Sequence, residues 1–312
     1  MTTTSPTVTP PDSPASASRP DLARWNAHDL LTEHGLMRIV APRGHVPGTI
    51  NYPEVPPAPQ VPTVKPVKPR KELGYYPHMH FAQHPTKWEF PAYLDNPSCR
   101  WLQALKAMYA MPISFPASLS PEAGLMLHSL IRNIRPKLVI ETGTFVGIST
   151  MWIAAALMEN GDGGEIHTFD DMGPIHKGPW RNVEMLTGRK EFVAGRLAAS
   201  GLARHIVMHP GNSSFEIRAA HEEFKAAGGV QFAFLDADHS VLGSWQDFWA
   251  TEPVLNTGGF VMLHDTFPEY CGWPGARDVL DSLNTKSVGT YEKVDMYLSP
   301  MNYGLGLIRR IG

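Results

Sequence analysis

Short apolar runs alternate with longer segments that suit helices over the second half of the chain. The runs are apolar and β-branched, and they have the length of buried strands. This alternation predicts an α/β fold, in which a doubly wound and mostly parallel sheet has helices on both faces. The predicted strands are 137–140, 165–170, 205–208, 230–235 and 260–263, and the predicted helices include 148–158, 189–201 and 215–227. Segments 286–298 and 303–310 predict an antiparallel strand pair that closes the sheet.

Helical patterns also precede the first of these strands. Residues 98–110 carry an apolar stripe with spacings of three and four, made by Trp101, Leu102, Leu105 and Met108. Ser120 suits an N-cap and Pro121 the first helical position of a second helix, which continues to Ile134. Both helices precede the first strand of the predicted sheet. The leucines and Trp25 of residues 21–40 predict a third, short helical segment.

The N-terminal part differs in composition from the rest of the chain. Residues 1–20 are rich in Thr, Ser, Pro and Ala and predict a disordered tail. Residues 21–73 form a Pro-rich extension, whose tract 53–69 favours polyproline II as a linker or strap, with docking to a partner as the alternative. Residues 74–119 are interpreted as a lid or cap segment, and 120–312 as the main domain.

Histidines and aromatic residues are concentrated near the start of the lid segment. His78, His80 and His84 could bind a metal, but no carboxylate or cysteine lies beside them in the sequence. The alternative is a lid or subunit contact in which these residues pack. We expect a homo-oligomer formed through the N-terminal extension.

Composition excludes several classes of protein. The formal net charge of −3 over 312 residues gives no reason to expect a nucleic-acid partner. No apolar run is long enough to span a membrane, and the first residues lack the apolar core of a signal peptide. Two cysteines, Cys99 and Cys271, favour a reducing cytoplasm.

A strand, a glycine-rich turn and a helix start follow one another in residues 137–150. The spacing Glu141-x-Gly143-x-x-x-Gly147 is neither the dinucleotide-binding pattern nor a phosphate loop. The glycines allow a ligand to approach the backbone, and the helix start offers N–H groups to a carboxylate. Glu141 suits a ligand that carries a cationic group. The alternative is a turn with a surface glutamate.

Acidic residues end several of the predicted strands. Asp170 ends the second strand, where a carboxylate can hold the two hydroxyls of a ribose. Asp236 and Asp265 follow the fourth and fifth strands, and His239 and His264 lie close to them in the sequence. Since ligands of open α/β sheets bind beyond the carboxyl ends of the strands, we expect these groups to converge. Carboxylates that converge suit Mg²⁺.

These motifs, in this order, resemble the class I S-adenosylmethionine (SAM) methyltransferases with a Rossmann-like fold. Within that class the chain is similar to the metal-dependent O-methyltransferases of the catechol O-methyltransferase type, and more similar still to bacterial macrolide-sugar O-methyltransferases. The resemblance covers residues 120–310 and implies a hydroxyl acceptor on a small natural product. It implies that SAM is bound by Glu141, Gly143, Thr144, Phe145, Gly147, Ser149, Asp170, Gly211, Ser213 and Asp236.

The resemblance also implies the catalytic groups. Asp236 and His239 would supply a metal ligand and the catalytic base, and Asp236, Asp265 and His264 would hold Mg²⁺ or Mn²⁺. Thr266 replaces an asparagine ligand of the catechol enzyme, and His264 replaces a glutamate ligand of the macrolide-sugar enzymes.

Several alternatives to this reading stay open. One is a metal-independent methyltransferase with His239 or His264 as the base. Another is a hydroxylase-associated protein of the cephalosporin type, and a third is a binding module without catalytic activity.

Overall fold

The computed structural model describes residues 27–32, 35–41, 87–177, 183–296 and 303–312. The predicted disordered tail, the Pro-rich tract 53–69 and His78, His80 and His84 lie outside the described residues. Most of the N-terminal extension, through which we expect the chain to form an oligomer, also lies outside them, and only 27–32 and 35–41 of it are described.

One mixed sheet organises the described part of the chain. Its strands are β1 (Ala27–Thr32), β2 (Gly35–Val40), β3 (Leu138–Thr142), β4 (Glu165–Asp170), β5 (Ile206–Pro210), β6 (Val230–Leu235), β7 (Leu255–His264), β8 (Tyr291–Met296) and β9 (Leu305–Arg310). They are ordered β1-β2-β5-β4-β3-β6-β7-β9-β8. The neighbours from β2 to β7 are parallel, and the β7–β9, β8–β9 and β1–β2 pairs are antiparallel. The predicted α/β fold with an antiparallel C-terminal pair is confirmed.

Helices cover both faces of this sheet. They are α1 (Arg100–Tyr109), α2 (Pro121–Ile134), α3 (Ile148–Asn160), α4 (Arg189–Ala199), α5 (Ser213–Ala219), α6 (His221–Ala226), α7 (Val241–Thr251), α8 (Pro268–Cys271) and α9 (Gly275–Ser282). Helices α1 to α4 contribute to one apolar cluster, and α5, α6, α7 and α9 contribute to a second. The sheet therefore separates two cores, as expected when parallel strands are buried on both sides.

The capping residues of α2 behave as the sequence predicted. The Ser120 side chain accepts a hydrogen bond from the N–H of Ala123, and Pro121 is the first residue of the helix. This cap satisfies an N–H group that the helix itself leaves unpaired. The predicted helix from Phe215 to Ala227 is interrupted at Ala220 and forms α5 and α6 instead.

A chain of hydrogen bonds fixes the loop between α1 and α2. The indole Nε1 of Trp152 donates to the hydroxyl of Tyr109 (2.9 Å), which donates to the carbonyl oxygen of Leu119 (2.9 Å). All three residues are buried. Because Trp152 belongs to α3, this chain fastens residues 117–119 over the start of that helix.

The helix expected within residues 21–40 is wrong. Residues 27–32 and 35–40 form the β1–β2 pair, and β2 lies parallel to β5 with Arg38 opposite Val207. Arg38 makes a buried ion pair with Glu165 of β4. Pairing with distant strands thus overrides a local pattern of apolar residues, and no local pattern can reveal such a partner.

The carboxyl ends of the parallel strands lie at one edge of the sheet. Thr142 is opposite Leu235, and Leu235 is opposite Leu263. Asp170 is opposite Pro210 on the other side of β3. Residues that directly follow β3, β4, β5, β6 and β7 are thereby brought to a common region. Among the described residues, no helix has both the length and the apolar character needed to cross a membrane.

Candidate active site

The turn after β3 lies directly against the end of β6. Gly143 has φ +87°, and a Cβ atom at this position would lie 2.3 Å from the carbonyl oxygen of Asp236. Its N–H donates to the carbonyl oxygen of Phe169 on the other neighbour, β4 (2.8 Å). A residue with a side chain would push the two strand ends apart. The glycine is required here both by its backbone conformation and by this close approach.

A hollow opens between this turn, the first turn of α3 and the loop before α2. Ser149 lies near the start of α3, where backbone N–H groups are not used within the helix. Ser118 contributes a buried hydroxyl that has no hydrogen-bond partner among the described residues. The hollow is lined by Ala117, Ser118, Leu119, Gly143, Thr144, Phe145, Ile148, Ser149 and Asp236. It offers the helix N-terminus and two hydroxyls to a carboxylate or an amino group.

Glu141 lies beneath this hollow. Its side chain is fully buried, and Oε2 accepts hydrogen bonds from the hydroxyls of Thr150 (2.5 Å) and Thr168 (2.6 Å). Burial raises the pKa of the Glu141 carboxyl to about 7, although hydrogen bonds from Ser149, Thr150 and Thr168 oppose the rise. The carboxyl group therefore connects β3 to Thr150 of α3 and Thr168 of β4. Thr144 and Phe145 line the hollow itself.

Asp170 ends β4 and is held from several directions. Its Oδ2 accepts from the N–H of Phe145 (2.8 Å) and from the guanidinium of Arg189 (2.6 Å). Its Oδ1 accepts from the N–H of Met172 (2.8 Å). Burial raises the pKa of the Asp170 carboxyl, and the charge of Arg189 opposes that rise. Asp170 is thus a fixed acceptor at the end of β4.

The loop after β5 approaches the same edge. The N–H of Gly211 donates to the carbonyl oxygen of Asp170 (2.9 Å), which joins the two loops. Ser213 begins α5, and its hydroxyl donates to Oδ1 of Asp247 (2.5 Å). Burial raises the pKa of the Asp247 carboxyl to about 6, although hydrogen bonds from Ser213 and Thr142 oppose the rise.

Two carboxylates and two imidazoles meet beyond β6 and β7. The side chains of Asp236, His239 and Asp265 each present one ligand atom, and these atoms lie within 4.8 Å of one another. We call these three residues the acid cluster. The Nε2 atom of His239 is 3.6 Å from Oδ2 of Asp265. Burial raises the pKa of the Asp265 carboxyl, and the charges of His264 and His239 oppose the rise.

His264 lies on the buried side of the same two aspartates. Its Nδ1 atom is 3.2 Å from Oδ1 of Asp236 and 3.2 Å from Oδ1 of Asp265. Its side chain is buried, with only 3% exposed, whereas that of His239 is 33% exposed. The structure therefore exposes His239 beside the two aspartates and buries His264 against them, and the role of His264 as a metal ligand stays a prediction.

The donor atoms of the acid cluster, which are carboxylate oxygens and an imidazole nitrogen, suit a divalent cation. Two oxygen ligands of one Mg²⁺ lie at most about 4.2 Å apart, and the ligand atoms of the acid cluster lie within the similar span of 4.8 Å. An imidazole beside two carboxylates favours Mn²⁺ and similar ions over Mg²⁺. Asp236 and Asp265 also repel one another, and a cation relieves that repulsion.

Sequence reasoning found the strand-end residues and missed two supporting ones. Asp170, Asp236, His239, Asp265 and the Gly143 turn lie at one edge of the sheet, because the parallel strands end together there. Arg189 and Asp247 were not anticipated. Each belongs to a helix and acts on a site residue that is distant in sequence, so only the fold reveals them.

Comparison with known families finds a match for part of the chain. Residues 140–266 match a family model described as a methyltransferase domain. No curated protein matches the sequence.

Solved structures share the fold at low sequence identity. An O-methyltransferase from Bacillus cereus in complex with SAH is 14% identical, with a TM-score of 0.51 over 70% of this chain and 93% of that one. The SAH-bound methyltransferase PaMTH1 of Podospora anserina is also 14% identical, with a TM-score of 0.51 over 71% of this chain and 93% of that one. Residues 140–266 are thus similar to a methyltransferase domain, and the described part of the chain shares the fold of these SAH-bound structures.

Proposed function

We propose that the protein is an O-methyltransferase that transfers the methyl group of SAM to a hydroxyl of a small-molecule acceptor. One observation carries the proposal: Asp236 lines both the hollow at the Gly143 turn and a second hollow at the acid cluster. A donor in the first hollow and an acceptor in the second would meet at this side chain. Holding two reactants together in this way is a major source of rate enhancement.

The proposed position of SAM follows the three loops of the sheet edge. The methionine part would lie in the hollow formed by the Gly143 turn, with its carboxylate near Ser149 and the N-terminus of α3. Asp170 would accept a hydrogen bond from a ribose hydroxyl. The adenine would lie against Gly211 and Ser213, which border Asp170. The close packing at Gly143 supports this position, because it holds the turn after β3 against the backbone of Asp236, which lines the same hollow.

The acceptor hydroxyl would lie at the acid cluster. A divalent cation held by Asp236 and Asp265, with His239 beside it, would lower the pKa of this hydroxyl. Asp236 and Asp265 would orient the acceptor, and His239 would receive its proton. Imidazole is a suitable proton acceptor near neutral pH, and His239 is exposed enough to reach a ligand.

The chemical step is a displacement at carbon. The acceptor oxygen forms a bond to the methyl carbon as the sulfur–carbon bond breaks, and the electron pair of that bond stays on sulfur. The products are a methyl ether and S-adenosylhomocysteine. The proton held by His239 then passes to water.

A metal-independent enzyme is the second candidate, and the position of His264 favours it. A protonated His264 would be a cation between Asp236 and Asp265, with Nδ1 3.2 Å from an oxygen of each. That charge could relieve their repulsion without a metal. His239 would remain the base in this case.

An aromatic or glycosylated natural product is the acceptor class that we propose. The ring of Trp273 lies 6.4 Å from that of His239, measured between centroids, and 52% of Trp273 is exposed. An exposed indole beside the base suits stacking on a flat ring or on the apolar face of a sugar.

Calorimetric titration with S-adenosylhomocysteine tests the proposal. We expect the wild-type protein to bind, and we expect Gly143→Ala to weaken binding by at least about tenfold because a Cβ atom displaces the strand ends. Gly161→Ala is the matched control, since Gly161 also has positive φ but a Cβ atom there meets no atom within 4 Å. A wild-type protein that does not bind S-adenosylhomocysteine would contradict the proposed function.

A further inference from the structure

Arg189 makes hydrogen bonds to three residues of the loops that follow β3 and β4. Its Nη2 donates to Oδ2 of Asp170 (2.6 Å), its Nε to the carbonyl oxygen of Phe145 (3.1 Å) and its Nη1 to that of Gly173 (3.0 Å). The side chain is 8% exposed. One guanidinium thus connects the first residue of α4 to the loops that follow β3 and β4.

The same contacts determine how the Asp170 carboxylate is oriented. Oδ2 receives the guanidinium and the N–H of Phe145, so both of its lone pairs are used. Oδ1 receives the N–H of Met172, and among the described residues this is its single hydrogen bond. Oδ1 therefore keeps one lone pair for a further donor, and its direction is fixed by the contacts of Oδ2.

The chemistry of the guanidinium suits this role. Its planar array of donors can serve a carboxylate and two carbonyl oxygens together, which a lysine ammonium on its flexible chain cannot match. Its charge also compensates a carboxylate that is almost entirely buried, and buried charges without a partner are costly. Losing Arg189 would both free the carboxylate to rotate and favour its neutral form, which is a poorer acceptor.

We propose that Arg189 is a positioning residue for the ribose of the cofactor, acting through Asp170. It keeps the carboxylate ionised and aims Oδ1 at a ribose hydroxyl. This inference rests on the proposed function, because it requires SAM to be the ligand at the sheet edge.

Titration with two ligands distinguishes this role from a purely structural one. The probes are S-adenosylhomocysteine and its 2′,3′-dideoxy analogue, which lacks the hydroxyls that Asp170 would bind. We expect Arg189→Gln to weaken the binding of S-adenosylhomocysteine about tenfold or more, as expected for a lost hydrogen bond to a charged group. The binding of the analogue should weaken by less than about threefold. Arg196→Gln is the control, because Arg196 is an exposed arginine of the same helix.

A second variant covers the case in which Arg189→Gln does not fold. Arg189→Lys keeps the charge beside Asp170 but loses the planar donors. We expect it to weaken the binding of S-adenosylhomocysteine about threefold or more and to leave the binding of the analogue unchanged. An equal loss for both ligands would show that Arg189 only maintains structure, and unchanged affinity for both would also overturn the inference. A wild-type protein that binds neither ligand would overturn the proposed function and this inference together.

Discussion

The imidazole of His239 stands at the open side of the acid cluster, with its Nε2 atom 3.6 Å from Oδ2 of Asp265. This side chain does not line the hollow at the Gly143 turn. We therefore expect His239→Ala to lower kcat by about 10²-fold or more, the usual effect of losing a general base. The affinity for S-adenosylhomocysteine, measured by calorimetry, should stay unchanged. Unchanged turnover would remove His239 from its proposed role.

Glu141 gives the stability of the protein a distinctive pH dependence. Burial raises its pKa in the folded state from 4.5 to about 7, so the folded chain binds more protons than the unfolded chain between these values. Stability contributed by this group is therefore lost as the pH rises through that window. Between pH 5.5 and 7.5 we expect the wild-type free energy of unfolding to fall by about 2 kcal/mol relative to Glu141→Gln.

Urea unfolding of the two proteins at both pH values measures this difference. The glutamine variant is the matched control because it keeps an oxygen that can accept from Thr150 and Thr168. A constant difference between the two proteins would mean that Glu141 keeps the same protonation state throughout.

The individual site residues could be predicted unequally well. Asp236 and Asp265 follow apolar runs, and parallel strands end at a common edge, so their convergence follows from the sequence. The different exposures of His239 and His264 could not be predicted, because both are close to the aspartates in sequence. Which imidazole faces outward depends on the backbone after each strand, where Asp265 itself has φ +59°.

At the scale of elements, β2 is fastened to the sheet by a buried charge pair. Arg38 of β2 and Glu165 of β4 form an ion pair in which both side chains are 4% exposed. Burial opposes ionisation of Glu165, but a hydrogen bond from His167 and the charges of His167 and Arg38 lower its pKa to about 2. The pair stabilises the fold at neutral pH, and this contribution is lost as the pH falls from 4.5 towards 2.

Removing one partner of this pair should be costly. We expect Arg38→Met to lower the free energy of unfolding by about 3 kcal/mol, because it leaves the Glu165 charge buried and less compensated. Lys225→Ala is the control: its ion pair with Glu222 is exposed, and its loss should cost less than about 1 kcal/mol. Urea unfolding measures both, and equal small effects would show that Arg38 contributes little.

Elements that depend on local sequence could be predicted, and elements that depend on distant residues could not. Helix α2 is specified locally by Ser120 and Pro121, and β3 by a short apolar run, so both were predicted from the sequence. Strand β2 depends on β5 and on Glu165, which are far away in the chain, and a helix was predicted in its place. The break between α5 and α6 at Ala220 could not be predicted either, because no glycine or proline lies there.

At the scale of the whole molecule, the acid cluster exists because two strands and the loops after them are assembled correctly. Its ligand atoms come from the loop after β6 and from the end of β7. The cluster is therefore absent from an unfolded chain, and a cation that binds it should stabilise the folded state.

Metal binding gives a prediction with two readouts. We expect Mn²⁺ to raise the Tm of the wild-type protein more than Mg²⁺ does, and EDTA to abolish methyl transfer. Asp265→Asn should lose the shift in Tm. Asp238→Asn should keep it, because Asp238 lies on the same loop as Asp236 but outside the acid cluster. Activity that persists in EDTA, with no Tm shift, would favour the metal-independent candidate.

The parallel pairing of β2 with β5 has a consequence for how the protein is made. On the ribosome, β2 emerges early, and its neighbour in the sheet is synthesised only after β3 and β4. Until then its apolar residues Met37, Ile39 and Val40 have no sheet to cover them, and the nascent chain carries an unpaired edge. The pairing of β2 with the sheet therefore has to wait until β5 has been synthesised.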